Sequence, residues 1–108
     1  MILQPYEGTL PIKRFVTGTY TGDGAETQNI ELGFQPRAVL VADSNGQMGY
    51  TRSSIPIVRG GFALPGQSVK ASGAIALEVI NNGFAVHSAN NYALTNVSNE
   101  TYYYIAFA

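Results

Sequence analysis

The chain has no cysteine and no tryptophan, and it is short of charge of either sign. Without cysteine it can form no disulfide, no thiolate metal site and no cysteine nucleophile. Only 12% of its 108 residues are charged, about half the usual share. Six basic residues against seven acidic ones give a net charge of −1. No basic field exists to hold a phosphate backbone, so nucleic-acid binding is not expected. Histidine is nearly missing too. His87 stands alone, with no G-x-S-x-G, H-E-x-x-H or Walker pattern in the chain. No apolar run approaches the roughly 18 residues of a membrane-spanning helix, so no membrane insertion is expected. The opening "MILQPYEGTLPIKRF" has neither a basic start nor an unbroken apolar stretch, so no signal peptide is visible.

Helical signal is the last absence. Twelve glycines and five prolines fall every few residues and leave few windows for three helical turns. What is there is strand pattern. Residues 1–12 carry Pro5 and Pro11 and read as an extended lead-in. Residues 13–108 read as one domain, long enough for a single core. "KRFVTGTY" (Lys13–Tyr20) alternates and is rich in Phe, Val, Thr and Tyr. "TGDGAE" (Thr21–Glu26) is expected to fold it back as a hairpin, the Asp23-Gly24 step supplying the positive φ. "TQNIEL" (Thr27–Leu32) returns, with Gln28, Ile30 and Leu32 on one face. After the break at "GFQP", "RAVLVAD" (Arg37–Asp43) is nearly continuous apolar sequence, the pattern of a strand covered on both faces.

Residues 44–73 hold six glycines, Pro56 and Pro65, and read as a long excursion with one or two short strands. Such excursions are functional more often than chance. "AIALEVI" (Ala74–Ile80) is another strand. "NNG" (Asn81–Gly83) is a strong hairpin signal, since Asn-Gly fits a type I′ turn. "FAVHS" (Phe84–Ser88) returns with Phe84 and Val86 inward and His87 in opposite phase. The closing strand is Thr101–Phe107. Its alternation puts Tyr103, Ile105 and Phe107 on the more apolar face, expected in the core. Tyr102 and Tyr104 lie on the other. That second face is either a place where subunits meet or one covered by the chain's own loops. The fold class is all-β: an antiparallel β-sandwich of about six main strands, with a small barrel as the alternative.

No reaction centre emerges, and an enzyme is not expected. A glycosidase needs two carboxyl groups roughly 5 to 10 Å apart. Here Asp23 and Glu26 flank a turn, Asp43 ends a strand and Glu78 sits within one. "DSNG" (Asp43–Gly46) reads as a turn or as the start of a calcium loop, but no Glu closes it at EF-hand spacing. No cofactor or metal site is expected. "NVS" at Asn96 and "NET" at Asn99 match the glycosylation pattern. Binding is better represented. Tyr50, Arg52 and Arg59 lie among Ser and Gly in the excursion, and Asn90, Asn91 and Tyr92 set two amides beside a ring. Aromatic faces, amides and guanidinium groups are what hold sugars. His87 is a further candidate ligand contact.

The order of the pieces carries a resemblance. "GTYTGDGAETQNIELGFQPRAVLV", a variable middle, "NNGFAVHS" and "NVSNETYYYIAFA" resemble the small β-sandwich domains of bacteriophage and prophage tail fibres and receptor-binding proteins. The matching residues are Gly33, Phe34, Pro36 and Val39; Gly83, Phe84 and Val86; and Tyr102, Tyr104, Ile105, Ala106 and Phe107. The layout is also similar to the H-type lectins. The resemblance implies a non-enzymatic tail or fibre component, located in the virion or prophage-encoded before assembly. It also implies a homo-oligomer, with a trimer favoured, that contacts other tail proteins and a host-surface glycan. The alternatives are a carbohydrate-binding module of a cellular protein and a virion assembly module with no external ligand.

Overall fold

The computed structural model describes residues 14–108. The lead-in of residues 1–12 and the first residue of the expected opening strand lie outside the described residues. Ten strands follow in order: β1 (Phe15–Thr21), β2 (Thr27–Glu31), β3 (Ala38–Asp43), β4 (Gly49–Arg52), β5 (Ile55–Val58), β6 (Gly61–Ala63), β7 (Val69–Ala71), β8 (Ala74–Ile80), β9 (Gly83–His87) and β10 (Thr101–Phe107). No helix occurs among the described residues.

Two four-stranded sheets form the body, in the orders β1-β10-β3-β6 and β2-β9-β8-β7, and β4 and β5 make a separate two-stranded ribbon. Every strand pair is antiparallel. Inward residues of both large sheets share one core. Tyr20, Val39, Val41, Tyr102 and Ala106 of the first sheet meet Leu77, Phe84 and Val86 of the second. The arrangement is therefore β-sandwich-like, and among the described residues no ladder joins the two sheets into a barrel. Leu77, Phe84 and Val86 are fully buried, each stabilising the fold by roughly 1.5–3 kcal/mol.

The six expected strand segments are all strands, but ten strands exist rather than about six. The other four lie in residues 44–73, where short apolar pieces pair through tight turns. Ser53-Ser54 joins β4 to β5 and Ser72-Gly73 joins β7 to β8, all four residues at positive φ, as type I′ turns require. Pro65-Gly66 turns the chain between the bridged Leu64 and Gln67.

Four local expectations are corrected. β1 and β2 do not form a hairpin, because they lie at the edges of different sheets. Gly24 does take a positive φ of 75°, but the turn is tied to the loop before β10. Gly22 N donates to Glu100 O at 2.8 Å, and Gly24 N to Asn96 O at 3.0 Å. The β8–β9 hairpin exists, with Ile80 opposite Gly83, yet Asn81, Asn82 and Gly83 are all absent from the positive-φ residues, so its turn is not type I′. Gly83 serves a different need. A Cβ there would sit 1.9 Å from the carbonyl oxygen of Ile30 in neighbouring β2, so only glycine allows that approach.

The third correction concerns β10. Tyr102, Tyr104 and Ala106 face the core, while Tyr103 and Ile105 are exposed. Tyr102 is wholly buried and stacks on Tyr20, with centroids 4.9 Å apart. Its hydroxyl donates to Leu94 O at 2.8 Å and accepts from Val97 N at 3.1 Å. The hydroxyl that argued for an outward tyrosine is satisfied inside, so burial carries no unpaired polar atom. Finally, the described residues fully cover β3 on one face: Val39, Val41 and Asp43 are buried, whereas Ala38, Leu40 and Ala42 are partly exposed.

Candidate functional site

The candidate residues do not converge. Asp43 and Arg59 belong to the framework. Asp43 Oδ1 accepts the N–H groups of Asn45 and Gln47, both at 2.9 Å, and closes the 43–47 turn. Its Oδ2 accepts from Arg59 Nε at 2.8 Å, and Arg59 Nη2 reaches Glu100 Oε1 at 2.9 Å. Burial works against the charged form of Asp43 most strongly. The two backbone N–H groups and Arg59 outweigh it, and the carboxyl is held below the ordinary aspartate range. Both oxygens are committed. Among the described residues no group of three or more His, Cys, Asp or Glu could hold a metal ion.

The Asn90–Tyr92 loop is also occupied with itself. Asn90 Oδ1 accepts from Tyr92 N and Ala93 N at 2.9 and 2.8 Å, and its Nδ2 donates to Ala71 O at 3.1 Å. Tyr92 is half-buried against a small cluster of Ala71, Ala76 and Ala93. Asn91 is exposed. Of the two glycosylation motifs, Asn96 is fully buried, its amide donating to Asp23 Oδ1 at 2.7 Å and Ala25 O at 3.0 Å; Asn99 is exposed.

His87 faces away from Phe84 and Val86, as its phase requires. Its Nε2 lies 2.8 Å from Glu78 Oε2 and its Nδ1 3.1 Å from Thr27 Oγ1. A hydroxyl, an imidazole and a carboxylate thus stand in line across three strands.

Two surfaces remain with exposed, organised side chains. The first is the β4–β5 ribbon. Tyr50, Arg52 and Ile55 are exposed on one face of it, and Ile57, opposite Tyr50, is buried at its base. Arg52 Nη2 donates to the Tyr50 hydroxyl at 3.0 Å, and the guanidinium carbon lies 5.8 Å from the ring centroid. That places a cation beside an aromatic face, a pairing able to grip a sugar ring and its hydroxyls. The second is the outer face of the β1-β10-β3-β6 sheet. It holds a cleft of about 530 Å³ lined by residues that include Thr17, Leu40, Met48, Tyr103 and Ile105. Sequence reasoning missed this face because it assigned β10 the opposite phase. The clue was present in the unbroken apolar run of β3. A second, smaller cavity of about 230 Å³ lies by Gln67, Ser68 and Glu78.

Set against known families, curated proteins and solved structures, the chain matches no family model, no curated protein and no solved structure. Among the described residues no helix is long and apolar enough to cross a membrane.

Proposed function

We propose that the chain is a non-enzymatic structural module of a phage or prophage tail fibre, with a receptor- or carbohydrate-contacting ribbon. The observation that carries this reading is the Tyr50–Arg52 pair. Of all the candidate ligand residues, only these two are both exposed and organised by contact with each other. The remaining candidates spend their polar atoms inside the fold or lie apart. The order of motifs along the chain, the low charge and the sandwich-like body support the tail-fibre assignment and its likeness to H-type lectins. Its partners are then a host-surface glycan, neighbouring tail proteins and copies of itself.

The test is binding of the full chain to a glycan array and to a panel of intact bacteria. Binding to at least one surface is expected. Arg52→Ala should weaken it by about tenfold or more, equivalent to roughly 1.4 kcal/mol, with thermal unfolding unchanged. Absence of binding to every surface, or binding indifferent to both Arg52→Ala and Tyr50→Ala, overturns the receptor assignment.

A further inference from the structure

The two outer sheet faces differ in kind. Across β2, β9 and β8 the outward positions are mixed: Asn29, Glu31, Glu78 and His87 bring polar and charged groups, and Ala76 and Ala85 are covered, Ala76 in the small cluster with Ala71 and Ala93. Across β1, β10 and β3 they are Phe15, Thr17, Thr19 and Thr21; Thr101, Tyr103, Ile105 and Phe107; and Ala38, Leu40 and Ala42. None of these is charged. Phe15 is 55% exposed, Phe62 beside Leu40 53% and Tyr103 49%.

We propose that a second copy of this chain packs on the outer face of the β1-β10-β3-β6 sheet. The proposal deepens the structural-module reading by naming the surface of self-association, and it does not depend on the receptor ribbon. Three observations lead to it. Ala38, Leu40 and Ala42 are as apolar as the inward Val39 and Val41, so β3 carries the pattern of a strand covered on both sides. The described residues cover one fully and leave Ala38, Leu40 and Ala42 partly exposed.

Charge selects the occupant. A charged face brought against its own copy sets like charges together, which costs several kcal/mol. This face holds no charge to oppose itself, and it offers no complement to a charged partner. Area is the third argument. Four strands about 4.8 Å apart and up to seven residues long at about 3.3 Å each span roughly 400 Å² in projection. Side-chain relief adds to that, so two faces in contact bury about 1,000 Å² in total, the threshold for a specific interface. The cleft between Tyr103 and Met48, about 530 Å³, has room for an aromatic side chain from the facing copy.

Size-exclusion chromatography with light scattering on the full chain tests the proposal. At about 100 µM the mass should be at least twice the 11.5 kDa of one chain and should fall on dilution, as mass action requires. Thr17→Asp and Ile105→Asp, both at exposed positions, should each return the mass to that of one chain with an unchanged far-UV circular dichroism spectrum. Asn29→Asp on the opposite sheet should leave the assembly intact. A wild-type monomer at about 100 µM overturns the proposal, including the case where residues 1–13 cover the face instead. Assembly that survives both face substitutions overturns it as well. Glycan binding separates the two proposals: a monomer that still binds through Arg52 refutes the interface alone.

Discussion

Asp43 shows how a buried charge is held at a strand end. Two backbone N–H groups and a guanidinium surround its carboxylate, and removing it leaves Arg59 half-buried with only Glu100 to face. Asp43→Ala should cost about 3 kcal/mol in urea unfolding, the typical penalty for breaking a buried pair. The pH dependence follows from the lowered folded pKa. Stability from Asp43 is fully present above the unfolded value of about 3.9, and it is lost as pH falls through the lower folded value. The urea midpoint should therefore stay flat from about pH 7 to 5 and drop below about pH 4. Asp43→Asn should start lower and show a shallower acid slope. The same local economy explains Tyr20 and Tyr102. Burial raises both phenols above their ordinary range, that of Tyr20 strongly, and both hydroxyls donate to carbonyls of the loop before β10, at Thr95 and Leu94.

Strands were legible where alternation was clean and turns ended them. Gln28, Ile30 and Leu32 share a face as their spacing requires, against exposed Thr27, Asn29 and Glu31. The phase of β10 was not legible, because tyrosine is equally at home in a core with hydroxyl partners and on a wet face. Only the tertiary partners Leu94 and Val97 decide it. Turn chemistry misled in a related way. The Asn-Gly step predicted positive φ at β8–β9, whereas Ser53-Ser54 supply it at β4–β5 and Ser72-Gly73 at β7–β8. Half of the glycine's meaning lies in a neighbour far along the chain. Gly83→Ala should therefore destabilise by about 2–4 kcal/mol in denaturant unfolding, since a Cβ collides with the β2 backbone. If its role were only conformational freedom, alanine at this negative-φ position would be nearly neutral. Of the candidate site, Tyr50 and Arg52 were readable as an aromatic and a cation two residues apart. Arg59 and Asn90 have the same chemistry, but their structural partners are distant or backbone atoms that composition does not reveal.

At the scale of the molecule, the surface divides by kind. One sheet carries polar and charged groups such as Asn29, Glu31 and Glu78 on its outer face, the other an uncharged face that includes Phe15, Leu40, Tyr103 and Ile105, and a short ribbon presents Tyr50 and Arg52. On the reading proposed above, one surface would join copies of the chain and the other would meet the host. Hydroxyl-radical footprinting of the full chain, at about 1 µM and about 100 µM, reads both at once. At the higher concentration oxidation of Met48, Phe62 and Tyr103 should fall several-fold while Tyr50 stays reactive. Unchanged oxidation of Met48, Phe62 and Tyr103, or protection that reaches Tyr50 to the same degree, would contradict the division of surfaces.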